Sequence, residues 1–237
     1  MKEIMDRNLV YQYLNTFGLE DVFSEGLRQH LALYRFEPGE PLCLQGEKPE
    51  FLFFLVHGKI KVYTTSAEGK TLLINFTTPL EVIGEIECLR GKENLNTVTA
   101  VTLVEVIGIH KRRLSQYEEE ASFLNLLLHI VTEKFYRKSI SLGSNLLYPV
   151  EVRLASYLLS VCLEDESEPA SEQMSSLKDI ANLIGTSYRH LNRVLQKFCS
   201  DGLVERRRGT LIVKNRKGLR MVAGHNIYER EERREQI

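Results

Sequence analysis

Two short apolar patterns joined by one glycine restrict the fold of this 237-residue chain more than any other stretch. Leu177, Ile180, Ala181 and Ile184 recur at i, i+3, i+4 and i+7; Gly185 follows; Leu191, Val194, Leu195 and Phe198 then repeat the spacing. Each set lines one face of a 3.6-residue period, so the pattern predicts two amphipathic helices, with the glycine as the tight turn between them. Ser176 and Asp179 resemble a capping box with Asp in place of the usual Glu or Gln, and Ser187 is placed to cap the second helix. A helical hairpin packed for structural reasons alone explains these apolar faces equally well.

The opposite face decides between the two readings. Ser187, Tyr188, Arg189, Asn192 and Arg193 gather at the leading end of the second helix, where a recognition helix presents its base readers. Arginine bonds guanine in a bidentate way, asparagine does so with adenine, and an aromatic ring rests against a thymine methyl or a sugar. Asp201-Gly202 ends the helix. Leu203–Glu205 and Leu211–Val213 then read as two strands joined through Arg206-Arg207-Arg208-Gly209-Thr210, a hairpin tip loaded with charge. This is the wing of a winged helix-turn-helix. Ser176, Lys178, Lys197, Arg206, Arg207, Arg208 and Thr210 are the expected phosphate contacts.

Charge distribution agrees. The whole chain carries a net charge of -1, yet ten Lys/Arg face two acids between Arg189 and Arg220, while residues 1–146 hold 16 basic and 19 acidic side chains. A local basic field on a near-neutral protein is the footprint of a polyanion, here double-stranded DNA.

Upstream the pattern changes. Residues 6–19 read as a short amphipathic helix covering part of the next domain. From about Leu31 to Ile109, short β-branched and aromatic runs alternate with glycine turns, including a continuous apolar run at Phe51–Val56. Many short strands at this spacing indicate a sandwich or barrel, a fold that readily encloses a small cavity. From about Ser115 to Leu142 the period is helical. Such a helix would extend on the order of 40 Å. Its broad apolar stripe, with Leu124, Leu127, Leu128, Val131 and Phe135, calls for a partner, and a second copy about a two-fold axis supplies one. A further helix is predicted at Val150–Leu163, then an acidic loop at Glu164–Ser175. The expected domains are 1–114 (N-terminal helix and β-roll), 115–146 (dimer helix and hinge), 147–224 (winged helix-turn-helix) and 225–237 (charged tail).

Cys43, Cys88, Cys162 and Cys199 form no CxxC or C-x₂₋₄-C pair, so zinc and clustered iron–sulfur sites are unsupported. Buried packing is their expected fate, with a redox-sensing Cys88 as the alternative. Met1–Asp6 does not resemble a secretory leader, and no apolar run reaches membrane-spanning length. The expectation is a cytoplasmic protein without a membrane partner.

Taken in order, Glu37-Pro-Gly39-Glu40, Gln45-Gly46-Glu47, Val56-His-Gly58-Lys59, Gly69-Lys70, Ile83-Gly84-Glu85-Ile86 and Ile180-Ala181-x-x-Ile184-Gly185-x-Ser187 resemble the landmarks of the cyclic AMP receptor protein/fumarate–nitrate regulator (Crp/Fnr) family. The resemblance covers roughly residues 30–220. Ser187-Tyr188-Arg189-His190-Leu191 is most similar to its YeiL-like branch. The resemblance implies an α+β chain: a jelly-roll-like β-roll sensor of the cyclic-nucleotide-binding kind, a long dimerisation helix and a C-terminal winged helix-turn-helix. It also implies a homodimeric bacterial transcription regulator on an inverted-repeat operator, with RNA polymerase as a candidate partner. The implied effector pocket is Gly84, Glu85, Ile86, Asn94, Asn96 and Thr97, with Lys138 and Ser139 either facing it from the helix or simply exposed.

Two departures from the family pattern follow. The family pairs Gly-Glu, which holds the ribose, with a downstream Arg that grips the cyclic phosphate; here Gly84-Glu85 is present, but the matching stretch reads Asn94-Leu95-Asn96. A phosphate without that arginine forfeits about 1.5–3 kcal/mol per charge-assisted hydrogen bond. Cyclic AMP is therefore not the expected ligand unless Arg90 or Lys92 takes the role. The effector stays unidentified, with constitutive or redox-responsive action as the alternative. The family's common reader has Arg-Glu where this chain has Tyr188-Arg189, with Arg193 retained, so a different half-site sequence is expected.

A cupin-type enzyme shares the β-barrel architecture, but its metal needs two or more converging histidines with a carboxylate. His57 and His110 stand apart and no H-x-H occurs. The expectation is a regulator, not an enzyme. A protein partner for the basic hairpin is the remaining rival.

Overall fold

A computed structural model of the chain describes residues 1–114, 121–141, 147–162, 171–173, 176–207 and 210–229. The chain divides into two compact units, residues 1–62 with 77–140 and residues 63–76 with 141–237. In chain order its first part runs β1 (Lys2–Ile4), α1 (Arg7–Thr16), α2 (Glu25–Arg28), β2 (Ala32–Phe36), β3 (Pro41–Cys43), β4 (Phe51–His57), β5 (Ile60–Thr65), β6 (Thr71–Thr77), β7 (Glu81–Ile83), α3 (Glu85–Arg90), β8 (Thr97–Ala100), β9 (Val104–His110), α4 (Lys111–Leu114) and α5 (Ala121–Ser141). The strands form two sheets, of order β1-β2-β9-β4-β7 and β3-β8-β5-β6.

Strand β4 shows why the sequence reads as it does. Side chains alternate between the faces of a sheet. Phe53 and Leu55 enter a core with Phe36, Leu42, Ile60, Val98, Val104 and Val106, drawn from both sheets. Leu52, Phe54 and Val56 enter a second core on the other face, with Val10, Leu14, Leu27, Phe123 and Leu127 from the helices and Phe23 from the connection between α1 and α2. With both faces covered, the strand has no polar side, which is why Phe51–Val56 is continuously apolar. Gly58, at φ +88°, turns β4 into β5, and a Cβ there would lie 2.1 Å from the Leu103 carbonyl.

Asp6 caps α1, its carboxylate accepting from the Leu9 amide at 3.0 Å. Helix α1 is fastened further by a buried carboxylate. Glu105 accepts from the Tyr13 hydroxyl at 2.6 Å, and from Nε and Nη2 of Arg35 at 3.1 and 2.6 Å. Burial pushes Glu105 up, but the Tyr13 and Arg35 hydrogen bonds outweigh it and hold the carboxyl below its ordinary value. Burial and the same bond push the Tyr13 hydroxyl up to about 12. Strand β1, antiparallel to β2, was not anticipated from the sequence.

Helix α5 corrects one expectation. Phe123 and Leu127 face inward, in the core of their own unit. Leu127 is 2% exposed and leaves the expected dimer surface. Leu124, Leu128 and Phe135 are exposed, with Val131 half-buried, one turn apart along the outer stripe. The helix is apolar on two sides for two reasons: one stripe covers the β-roll and the other faces out. Residues 115–120 and 142, included in the expected helix, lie outside the described residues.

The second unit contains α6 (Val150–Val161), β10 (Ser171–Gln173), α7 (Leu177–Leu183), α8 (Tyr188–Ser200), β11 (Val204–Arg207), β12 (Thr210–Val213) and α9 (Arg216–Ala223). Helix α6 is buried nearly all round. The segment expected as an acidic loop instead contributes β10, which pairs with β12 in a sheet of order β10-β12-β11. Residues 225–229, expected to begin the tail, are also packed: Tyr228 is buried, and its carbonyl accepts from the Phe76 amide at 2.8 Å.

Replacing Glu105 with Gln is expected to cost about 1–3 kcal/mol at neutral pH in chemical unfolding, because a buried network loses its anion. The folded carboxyl sits below its unfolded value, so its contribution is complete above the unfolded pKa and lost as pH falls through the folded one. The gap between native and Glu105→Gln proteins should therefore close in acid.

Candidate nucleic-acid interface

The helix pair forms as its pattern requires. Leu177, Ile180, Ala181 and Ile184 of the first set and Leu191, Val194, Leu195 and Phe198 of the second are all buried. The capping box at Ser176 is complete: its Oγ accepts from the Asp179 amide at 3.3 Å, while its own amide donates to the Asp179 carboxylate at 3.2 Å. Ser187 caps α8, accepting from the His190 amide at 3.2 Å.

Gly185 makes the turn at φ +64°, a conformation that costs an L side chain on the order of 1–2 kcal/mol. A Cβ there would also stand 3.3 Å from both Arg153 Nη1 and Leu72 Cδ1. Arg153, buried on α6, donates through Nη1 to the carbonyls of Ile184 and, at 3.0 Å, of Gly185. These are carbonyls left over at the end of α7, where a cation also meets the negative end of the helix dipole. This residue escaped the sequence reading, since an arginine on an apolar helix carries no signal of the carbonyls it will meet.

Burial of one stripe of α8 leaves the other outside. Ser187, Tyr188, Arg189 and Arg193 are exposed, and Asn192 is half-buried between them. Gln196, one turn beyond Asn192, shares the exposed face, a position that charge and spacing alone do not mark. Of the expected phosphate contacts, Ser176, Lys178, Lys197, Arg206 and Arg207 are exposed. Arg208 and the side chain of Thr210 lie outside what is described.

The strands of the hairpin run two residues further toward the tip on β11, and one on β12, than expected, pairing Arg207 with Thr210. On β11, Arg207 Nε donates to Glu205 Oε1 at 2.7 Å, and Lys214 approaches the same carboxylate at 3.5 Å. The Arg207 bond holds the Glu205 carboxyl below its usual range. Arg206 points the other way, with Nη1 at 3.4 Å from Oδ1 of Asn192.

The residues expected to form an effector pocket lie in the first unit. Gly84, at φ +88°, begins α3. Glu85 is buried and bonded by the Lys134 ammonium of α5 at 2.8 Å; the same ammonium lies 3.0 Å from buried Glu81 and donates to the Val82 carbonyl. Asn94 is buried, its amide donating to the Leu44 carbonyl at 3.1 Å. Thr97 Oγ1 accepts from the Gln45 amide at 3.1 Å, and the Asn96 carbonyl accepts from the Cys43 thiol. Asn94, Asn96 and Thr97 thus hold the 43–47 loop. Ile86 is half-buried, and the side chains of Lys138 and Ser139 lie outside what is described.

Burial pushes the Cys43 thiol up to about 12, so little thiolate forms there. Cys88 is buried and donates to the Phe51 carbonyl. Among the described residues, no group of three or more His, Cys, Asp or Glu is placed to hold a metal, and no helix is long and apolar enough to cross a membrane.

Residues 33–120 match the cyclic nucleotide-binding domain family, and residues 152–222 the Crp-like helix-turn-helix domain. The chain is 30% identical over 205 residues to the regulatory protein YeiL of Escherichia coli O157:H7, across 85% of this chain and 90% of that protein. It is 23% identical over 198 residues to the cAMP-activated global transcriptional regulator CRP of Salmonella typhimurium, across 81% and 94%. In fold it resembles a crystal structure of a transcriptional regulator of the Crp/Fnr family from Eubacterium rectale, with a TM-score of 0.74 at 18% identity over 89% of this chain and 99% of that one.

Arg153→Met should lower the stability of the second unit by about 1.5–3 kcal/mol, since charged hydrogen bonds to two carbonyls are lost. Hydrogen exchange should show the loss concentrated at the end of α7 and the start of α8.

Proposed function

The chain belongs to the Crp/Fnr family of transcription regulators, and from that premise we propose that it is a homodimeric regulator without enzymatic activity, acting on an inverted-repeat operator in the bacterial cytoplasm. The observation that carries this reading is the outward basic face of α8 beside the arginines of β11. Tyr188, Arg189, Asn192 and Arg193 reach base edges, while Ser187 sits at the helix mouth. Ser176, Lys178, Lys197, Arg207, Arg208 and Thr210 meet phosphates. The outer stripe of α5, Leu124, Leu128, Val131 and Phe135, joins two copies, and RNA polymerase is the partner of the DNA-bound dimer. Residues 1–114 form the sensor, 115–146 the dimer helix and hinge, and 147–224 the DNA-binding domain.

Duplex binding measured against salt tests this. Affinity should fall steeply on a log–log plot, and footprinting should show two half-sites about one helical turn apart. Arg193→Ala should reduce the ratio of operator to random binding, whereas Arg207→Ala weakens all sequences alike. Equal losses on both DNAs for Arg193→Ala would remove it from the base readers.

The effector of the β-roll is not cyclic AMP in this reading, because no cation stands at Asn94–Asn96 to take a phosphate. A second reading, regulation without any small ligand, is favoured by Lys134. Its ammonium already occupies Glu85, the carboxylate that the family pattern gives to a sugar. If Lys134 replaces the ligand, operator binding needs no additive, and Lys134→Met should weaken it severalfold with the fold intact by circular dichroism. If an effector governs the chain, a metabolite thermal-shift screen should instead find a compound that raises both melting temperature and operator affinity.

A further inference from the structure

Successive residues of a strand point to opposite sides. On β11 this alternation separates two arginines that look equivalent in sequence. Arg207 shares its side with Glu205 and bonds that carboxylate. Arg206 turns toward α8 and meets Asn192.

The chemistry of that meeting is directional. A guanidinium carries only donors, so the end of the Asn192 amide that faces it must be the oxygen. Asn192 is half-buried between exposed Arg189 and Arg193, which confines it on the helix surface. An asparagine that reads adenine needs both ends at the base: the oxygen accepts from the 6-amino group while the nitrogen donates to N7. With its oxygen drawn to the wing, the amide keeps its NH₂ free to lead into the groove. An NH₂ donor suits guanine, whose O6 and N7 are both acceptors, or thymine O4; adenine N7 also accepts, but the 6-amino donor beside it is then left without the asparagine oxygen.

We infer that Arg206 is a positioning residue for specificity: through Asn192 Oδ1 it sets the amide so that this helix selects guanine or thymine over adenine at one position of each half-site. The inference rests on the reading of α8 as the base-reading helix. It assigns Arg206 a task that its neighbours on the wing do not share. Arg207 and Arg206 therefore differ in kind, not in degree.

The test is selection of bound duplexes from a library with randomised half-sites, using the full-length protein and its Arg206→Ala, Asn192→Ala and Arg207→Ala variants at fixed salt. A salt titration of each accompanies it. The native protein should disfavour adenine at one symmetric position, and Asn192→Ala should erase that preference. Arg206→Ala should relax discrimination there by about five- to tenfold, the worth of one directed base contact, with other positions unchanged. Arg207→Ala should leave every preference in place. The inference is overturned if Arg206→Ala lowers all affinities equally and reduces the salt slope by about one, as loss of a phosphate contact does. It is also overturned if Arg206→Ala and Asn192→Ala act at different positions. A native protein with no base preference anywhere would overturn both this inference and the base-reading role of α8, which separates the two failures.

Discussion

Leu191, Val194, Leu195 and Phe198 leave water together, and a helix that buries one stripe must turn the opposite stripe outward. That burial is what turns Arg189 and Arg193 toward solvent. The short partner helix α7 contributes the other half of the contact. The crossing between them depends on Gly185 and on the Arg153 guanidinium that bonds its carbonyl and that of Ile184. A buried cation is tolerated there because the ends of a helix offer carbonyl oxygens that lack intrahelical donors.

The same accounting of faces explains the first unit. Its larger sheet is covered on both sides, by the second sheet and by helices, so its central strands carry no polar side. Helix α5 spends its inner stripe on that sheet and keeps an outer apolar stripe exposed. A helix with one task would need only one of these stripes.

Electrostatics then distinguishes the β-roll from the nucleotide-binding pattern it resembles. Two buried carboxylates, Glu81 and Glu85, share the Lys134 ammonium. Burying charge is costly unless it is paired, so the ammonium supports both the sheet and α5. A phosphate entering here would find a carboxylate pair and no matching arginine at Asn94–Asn96.

The sequence alone determined the helix-turn-helix, its caps and the side chains that α8 presents, because those follow from local spacing: 3.6-residue periodicity, an Ser-x-x-Asp cap and a glycine at a positive φ. It also put Asn94-Leu95-Asn96 where the family resemblance implies a phosphate-binding arginine, since a residue type is read directly. Tertiary structure decided what depends on distant partners. Leu127 went inward and Leu128 outward although both belong to one broad apolar run, because only the docked sheet defines which side of the helix is covered. Lys134 met Glu81 and Glu85 from some fifty residues away, Arg153 met the end of α7, and residues 171–173 joined the wing as a strand. Arg206 and Arg207, adjacent and identical in type, acquired different neighbours from the pleat of one strand and the helix beside it.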